Sequence, residues 1–129
     1  MKHPTDHRLS RRERQIMDVL YRAGEASAVE VTEALPDPPS NSAVRALLRI
    51  LERKGHIRHR SDNGRHIYSP TRPRREEARS ALRRVLDTFY GGSPDKVVAA
   101  LLNDSETKLS DEELDRLETL IRKARKEGQ

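Results

Sequence analysis

Apolar side chains recur at three- and four-residue spacing along most of the chain, and the breaks between these runs fall at serine, glycine and proline. That pattern predicts six helices with one interruption. Ile16, Val19 and Leu20, flanked by Met17 and Tyr21, form the stripe of a first helix over 11–23. Ser10 and Glu13 have the Ser-x-x-Glu spacing of a capping box, in which hydroxyl and carboxylate satisfy amides that a helix start leaves unpaired. Leu9 precedes the cap, and Gly24 is a natural stop. Glu25 and Ala26 leave room for a very short strand before a second capping box, Ser27 and Glu30. Val29, Val31, Ala34 and Leu35 line a second helix that Pro36 ends. After the stiff turn 36–39, Ser40 caps a third helix whose apolar face is Val44, Leu47, Leu48 and Leu51.

The interruption follows this third helix. Ile57, His59 and Ser61 alternate with Arg58 and Arg60, and on the return run Ile67 alternates with His66 and Tyr68. The intervening Asn63-Gly64 favours left-handed backbone and suits a tight hairpin turn. Pro70 to Pro73 then reads as a linker. Beyond it the helical period returns three times. A helix over 74–90 places Ala78, Leu82, Val85, Leu86 and Phe89 on one side, and Gly91-Gly92 stops it. Ser93 is the expected cap of the next helix, with Pro94 at its first position and Val97, Val98, Leu101 and Leu102 as its stripe. Ser110 and Glu113 form a third capping box, with Leu109 and Leu114 spaced as a hydrophobic staple. Leu114, Leu117, Leu120, Ile121 and Ala124 line the last helix.

The expected fold is therefore mainly α with a small β-hairpin wing. An N-terminal winged helix-turn-helix domain would occupy 1–73 and a C-terminal three-helix region 74–129. The second region holds few residues and only Phe89 and Tyr90 as aromatics, so it buries little surface alone. Its surplus of Leu and Val suits half of a dimer interface, formed by Leu82, Val85, Leu86, Phe89, Val97, Val98, Leu101, Leu102, Leu114, Leu117 and Ile121. Folding back onto the first domain is the alternative.

Charge sharpens this division. Residues 1–75 hold 16 Lys and Arg against 9 Asp and Glu, whereas residues 76–129 hold 10 against 12. The front half would meet a polyanion and the back half protein. On the third helix Ser42, Arg45, Ala46, Arg49 and Arg53 fall opposite the apolar stripe, and Glu52 is the one acidic interruption. Small residues beside arginines let a helix sit deep in a DNA major groove. Arginine can pair bidentately with guanine, and Asn41 can pair with adenine. The candidate DNA contacts are Arg11 and Ser27 at helix starts, Asn41, Ser42, Arg45, Ala46 and Arg49 on the third helix, and Arg58, Arg60 and Arg65 on the wing. The plainer readings are a solvated helix face and a surface hairpin whose basic strands resist aggregation.

Other chemistry finds little support. The absence of cysteine removes disulfides and thiolate sites. His3, His7, His56, His59 and His66 lack metal-ligand spacing, so no metal is expected, nor any cofactor. His59 and His66 read as wing surface. Glycines are scattered rather than gathered in a phosphate loop, and Asp111-Glu112-Glu113 suit a helix N-terminus, so an enzyme is not expected. Hydrophobic content is 33% with no run of membrane-spanning length. The N-terminus lacks the apolar stretch of a signal peptide, which points to the cytoplasm and to no membrane insertion.

With these elements in order, the chain resembles the penicillinase-repressor family of transcriptional regulators (BlaI/MecI/CopY type). The residues that carry the resemblance are LSRRERQIMDVLYRAGEASAVEV, SNSAVRALLRILERKGHIRH, FYGGSPDKVVAALLN and LSDEELDRLETLI. It covers the chain from Leu9 to about Ala124, and FYGGS with the following apolar helix is its most specific part. The resemblance implies a homodimer that represses by occupying a palindromic double-stranded DNA operator, with Arg45 at the arginine position of the recognition helix. Ser42, Ala43 and Ala46 stand where other members often carry larger polar residues, so the resemblance implies DNA binding but not the operator sequence. Copper-responsive members use a C-terminal cysteine cluster, which this chain lacks. Members that respond to β-lactams are cut after an Asn by a system linked to a membrane sensor-protease. The matching bond here is Asn103-Asp104, although Asp replaces the usual apolar residue. Two other functions stay open on the residues alone: a winged-helix protein-interaction module, and an architectural DNA binder with little sequence preference.

Overall fold

The computed structural model describes residues 9–128; the expected tail with His3 and His7 lies outside the described residues. The elements are α1 (Arg11–Ala23), β1 (Ala26–Ser27), α2 (Ala28–Ala34), α3 (Asn41–Arg53), β2 (Ile57–Asp62), β3 (Arg65–Pro70), α4 (Arg74–Phe89), α5 (Pro94–Asn103) and α6 (Asp111–Glu127). The fold is mainly helical with one small antiparallel sheet, the architecture of a winged helix.

Helix starts follow their capping residues. Ser10, Ser27 and Ser110 each accept from the amide three residues on, and Glu13, Glu30 and Glu113 return the bond to the serine amide. Ser40 caps α3 through its hydroxyl, which accepts from Ala43 N at 3.1 Å. Ser93 departs from expectation. It holds the N-cap position of α5 but makes no side-chain capping bond. Lys96 N donates instead to the main-chain oxygen of Ser93 at 3.1 Å. α2 stops before Leu35, whose extended ψ of 144° is what a following proline enforces.

The core of the first unit is a single apolar cluster. Ile16, Leu20, Val31, Val44, Leu48 and Leu51 are fully buried, joined by Ile57 and Tyr68 from the sheet. These are the inward stripes of α1, α2 and α3, so helical periodicity accounts for most of the cluster. α3 is held at both ends. Before it, the Arg12 guanidinium donates to the main-chain oxygens of Pro36 at 2.7 Å and Asp37 at 2.6 Å. After it, the C-cap residue Lys54 places Nζ 3.2 Å from both carboxylate oxygens of the buried Glu13.

The sheet has the order β1-β3-β2, both pairings antiparallel. The very short strand expected at 25–26 forms at Ala26–Ser27 and pairs with Tyr68 and Ile67. Asp62 pairs with Arg65, leaving a two-residue loop at Asn63 (φ 51°) and Gly64 (φ 78°). Positive φ at both positions is the I′ turn that matches strand twist. One feature differs from simple alternation. β3 is the central strand, and the adjacent Ile67 and Tyr68 are both buried, though they point to opposite faces. Tyr68 joins the core cluster.

By its contacts the chain separates into two compact units, Met1–Arg79 and Ser80–Gln129, with the division inside α4. The second unit has little interior. α5 and α6 bury none of their residues. Leu82, Phe89, Leu101, Leu102, Leu120 and Ile121 are all exposed, Phe89 by 73%. Leu86 is buried, and Val97 and Leu117 are half-buried.

Candidate nucleic-acid interface

The outer face of α3 and the inner face of the wing enclose a cleft of about 450 Å³. Because Val44, Leu48 and Leu51 turn inward, Arg45, Arg49 and Glu52 must fall on the exposed side, one helical turn apart. β2 and β3 supply the opposing wall. The pairing of His59 with Tyr68, and of Ser61 with His66, sets these residues on one face of the sheet. Arg65 and Gly64 stand at the tip, and Ser27, Ala28 and Val29 close the cleft from the start of α2.

Four of the expected DNA contacts come together here: Ser27, Arg45, Arg49 and Arg65. The Ser27 hydroxyl is occupied as the cap of α2, and the residue is buried, so it shapes the wall rather than offering a free donor. Arg11, Asn41, Ser42, Ala46 and Arg58 are exposed outside the cleft lining. Arg60 is also outside it, with Nη2 2.9 Å from Glu25 Oε2 and Nη1 4.0 Å from Asp62. The Glu25 carboxylate offsets its charge, although the Arg60 side chain stays more than half exposed.

The cleft also holds residues that were expected to be wing surface or were not singled out. His59 Nδ1 lies 2.7 Å and 2.9 Å from the two carboxylate oxygens of Glu52. The His59 and His66 rings stack at 4.0 Å between centroids, 16° from parallel. The Tyr68 hydroxyl sits 3.5 Å from His66 Nδ1. Burial, and then the Glu52 carboxylate, push the Tyr68 phenol up against the opposing pull of Arg45 and Arg49. The signal for this cluster lay in the Asn63-Gly64 turn. A two-residue loop fixes the register, and the register puts His59, His66 and Tyr68 on the face nearer α3.

The remaining chemistry is sparse. Among the described residues no group of three or more His, Asp or Glu is placed to hold a metal ion. No described helix is long and apolar enough to cross a membrane. Asn103 ends α5 and Asp104 follows as its C-cap, both exposed. The Asp104 carboxylate accepts from Glu106 N at 3.1 Å and Thr107 Oγ1 at 3.0 Å, which closes a turn just after the Asn103-Asp104 bond. In the second unit α5 and α6 border an apolar groove lined by Val98, Leu102, Leu114, Leu117, Leu120 and Ile121.

No curated protein sequence matches the chain. Among solved structures, one from a study of how 6-hydroxynicotinic acid regulates DNA binding by Bordetella bronchiseptica BpsR is similar at 16% identity and a TM-score of 0.48. That match covers 95% of this chain and 78% of the other. The family model described as penicillinase repressor matches residues 9–123, nearly the full length and both compact units. A winged helix with a basic cleft beside α3 is thus joined to a family assignment that spans it, and the chain belongs to the penicillinase repressor family of DNA-binding transcriptional regulators.

Proposed function

We propose that the protein is a homodimeric repressor that reads a palindromic operator with α3 and grips the flanking backbone with its wing. The observation that carries this reading is the basic cleft. Arg45 and Arg49 lie on the exposed face of a helix whose opposite face is fixed in the core, and Arg65 faces them from the wing. Arg45 and Arg49 would contact base edges, with Asn41, Ser42 and Ala46 along the exposed side of the helix. Arg58, Arg60, Arg65 and Arg11 would hold phosphates and so set register rather than sequence.

The exposed leucines of the second unit support self-association. Leu101, Leu102, Leu120 and Ile121 are each about half exposed, and such surface is costly to leave in water. Two copies joined there would present two α3 helices to half-sites separated by roughly 34–36 Å or a multiple. Repression follows if the dimer occupies the site that polymerase needs. Cleavage at Asn103-Asp104 by a membrane sensor-protease would detach α6 and weaken the pairing. The exposure of that bond at a helix end is what favours it. A chain that remains intact when co-expressed with its cognate protease under induction would remove that part of the proposal.

The test is selection of genomic fragments by the purified full chain at near-physiological salt, followed by sequencing. The expected product is an inverted repeat. Recovery of unrelated fragments in a salt-sensitive manner would mark an architectural binder. No enrichment would move a protein partner to the front.

A further inference from the structure

The cleft contains a carboxylate where DNA phosphates would arrive. Glu52 stands one turn beyond Arg49 on α3, and both carboxylate oxygens lie within 2.9 Å of His59 Nδ1. The other charged groups facing His59 are Arg45 and Arg49 from α3, and Arg65 with His66 and Tyr68 from β3. Ser27, Ala28 and Val29, from β1 and α2, bring no charge. Arg58, Arg60 and Asp62, on the same strand as His59, lie outside the cleft lining.

A neutral His59 can donate its Nδ1 proton to Glu52, but the cleft then keeps a full negative charge. B-DNA presents about one phosphate charge per 1.7 Å of axis, so that carboxylate would be repelled as the duplex seats. A second proton, on His59 Nε2, cancels the Glu52 charge and adds a donor to the cleft. His66 limits the uptake. Its ring stacks on His59 at 4.0 Å, and two imidazolium rings face to face at that distance repel each other. A charge on both rings is therefore disfavoured relative to a charge on one.

We propose that His59, held by Glu52 and stacked on His66, is a proton-linked determinant of DNA affinity, taking up one proton per subunit when DNA enters the cleft. This rests on the reading of the cleft as the DNA interface. Glu52 is a positioning residue here, since it acts through His59. The sign follows from linkage. A group that gains a proton on binding makes affinity fall as pH rises through its titration range, by at most about tenfold per pH unit for one proton. For imidazole that range lies between about pH 5 and 8.

The experiment is fluorescence anisotropy of the full chain with the selected DNA and with a mixed-sequence duplex, from about pH 6 to pH 8.5 at constant ionic strength. Wild type should weaken severalfold per pH unit across the lower part of this range on both duplexes, because the effect acts on phosphate rather than on base sequence. His59→Gln should flatten the profile. Glu52→Gln should also flatten it and raise affinity at the alkaline end, which mere loss of a structural contact would not do. His66→Gln should keep the slope, because the proton resides on His59. Calorimetry in two buffers of different ionisation enthalpy should count one proton taken up per subunit. DNA binding with a flat wild-type profile overturns the proposal, as does a slope that survives in His59→Gln. Absence of DNA binding at every pH would instead overturn the reading of the cleft itself.

Discussion

Glu13 ties the start of the first helix to the end of the third, and its removal should unsettle the whole first unit without touching the cleft. Its carboxylate accepts from Ser10 N at 2.8 Å and lies 3.2 Å from Lys54 Nζ through both oxygens. The residue is only 4% exposed, so water cannot replace these partners at little cost. Glu13→Ala takes away the glutamate half of a capping box and a largely buried charge-assisted bond. A hydrogen bond to a charged group of this kind contributes about 1.5–3 kcal/mol. The Lys54 side chain is 36% exposed, so solvent screening places the ion pair at the low end of its range. The expected loss is about 2–3 kcal/mol, lowering the melting temperature by on the order of 10 °C.

The pH dependence has a definite sign. Burial pushes the Glu13 carboxyl up, but the Ser10 amide and Lys54 together hold it below its ordinary value. A depressed carboxylate contributes stability above its unfolded value of about 4.3 and loses that contribution as pH falls through the lower folded value. Thermal melts by circular dichroism at pH 7 and across the acid limb check both statements. Glu13→Gln should keep an acceptor for Ser10 and lose the acid-linked part. The mutant that remains folded should bind DNA as wild type does. A Glu13→Ala melt within about 2 °C of wild type would show that the bonds at this corner do not stabilise the unit.

Two further predictions concern the wing and the second unit. Gly64→Ala should cost about 1–2 kcal/mol in denaturant titration. Its φ is +78° and an added Cβ meets nothing within 4 Å, so the cost is backbone strain alone. Leu120→Glu with Ile121→Glu should convert a dimer to a monomer in sedimentation velocity and weaken operator binding while leaving the first unit's melt unchanged, because both residues are more than half exposed.

Much of this architecture is legible in residue patterns. The Ser-x-x-Glu boxes mark three helix starts, and the inward residues of α1 and α3 follow from periodicity. Local rules suffice there because caps and stripes depend on neighbours three or four residues away. Tyr68 and the Glu52–His59–His66 cluster are less legible. Their placement depends on strand pairing and on α3 packing against the sheet, which join residues far apart in the chain. Arg60 shows the same limit. It reads as a free wing cation, yet it is paired with Glu25 from the other side of the unit's sequence. Ser93 is a local failure, since the residue type suits a cap but the main-chain oxygen takes the contact instead.

The claim that α3 reads bases through the cleft is tested most directly by the affinity of Arg45→Ala for the selected operator and for a scrambled duplex, each at several salt concentrations. The expected result is a loss of about 1–3 kcal/mol on the operator, little change on the scrambled duplex, and relaxed preference at one base pair per half-site. An equal loss on both duplexes would contradict it, because Arg45 would then be holding phosphate rather than reading sequence.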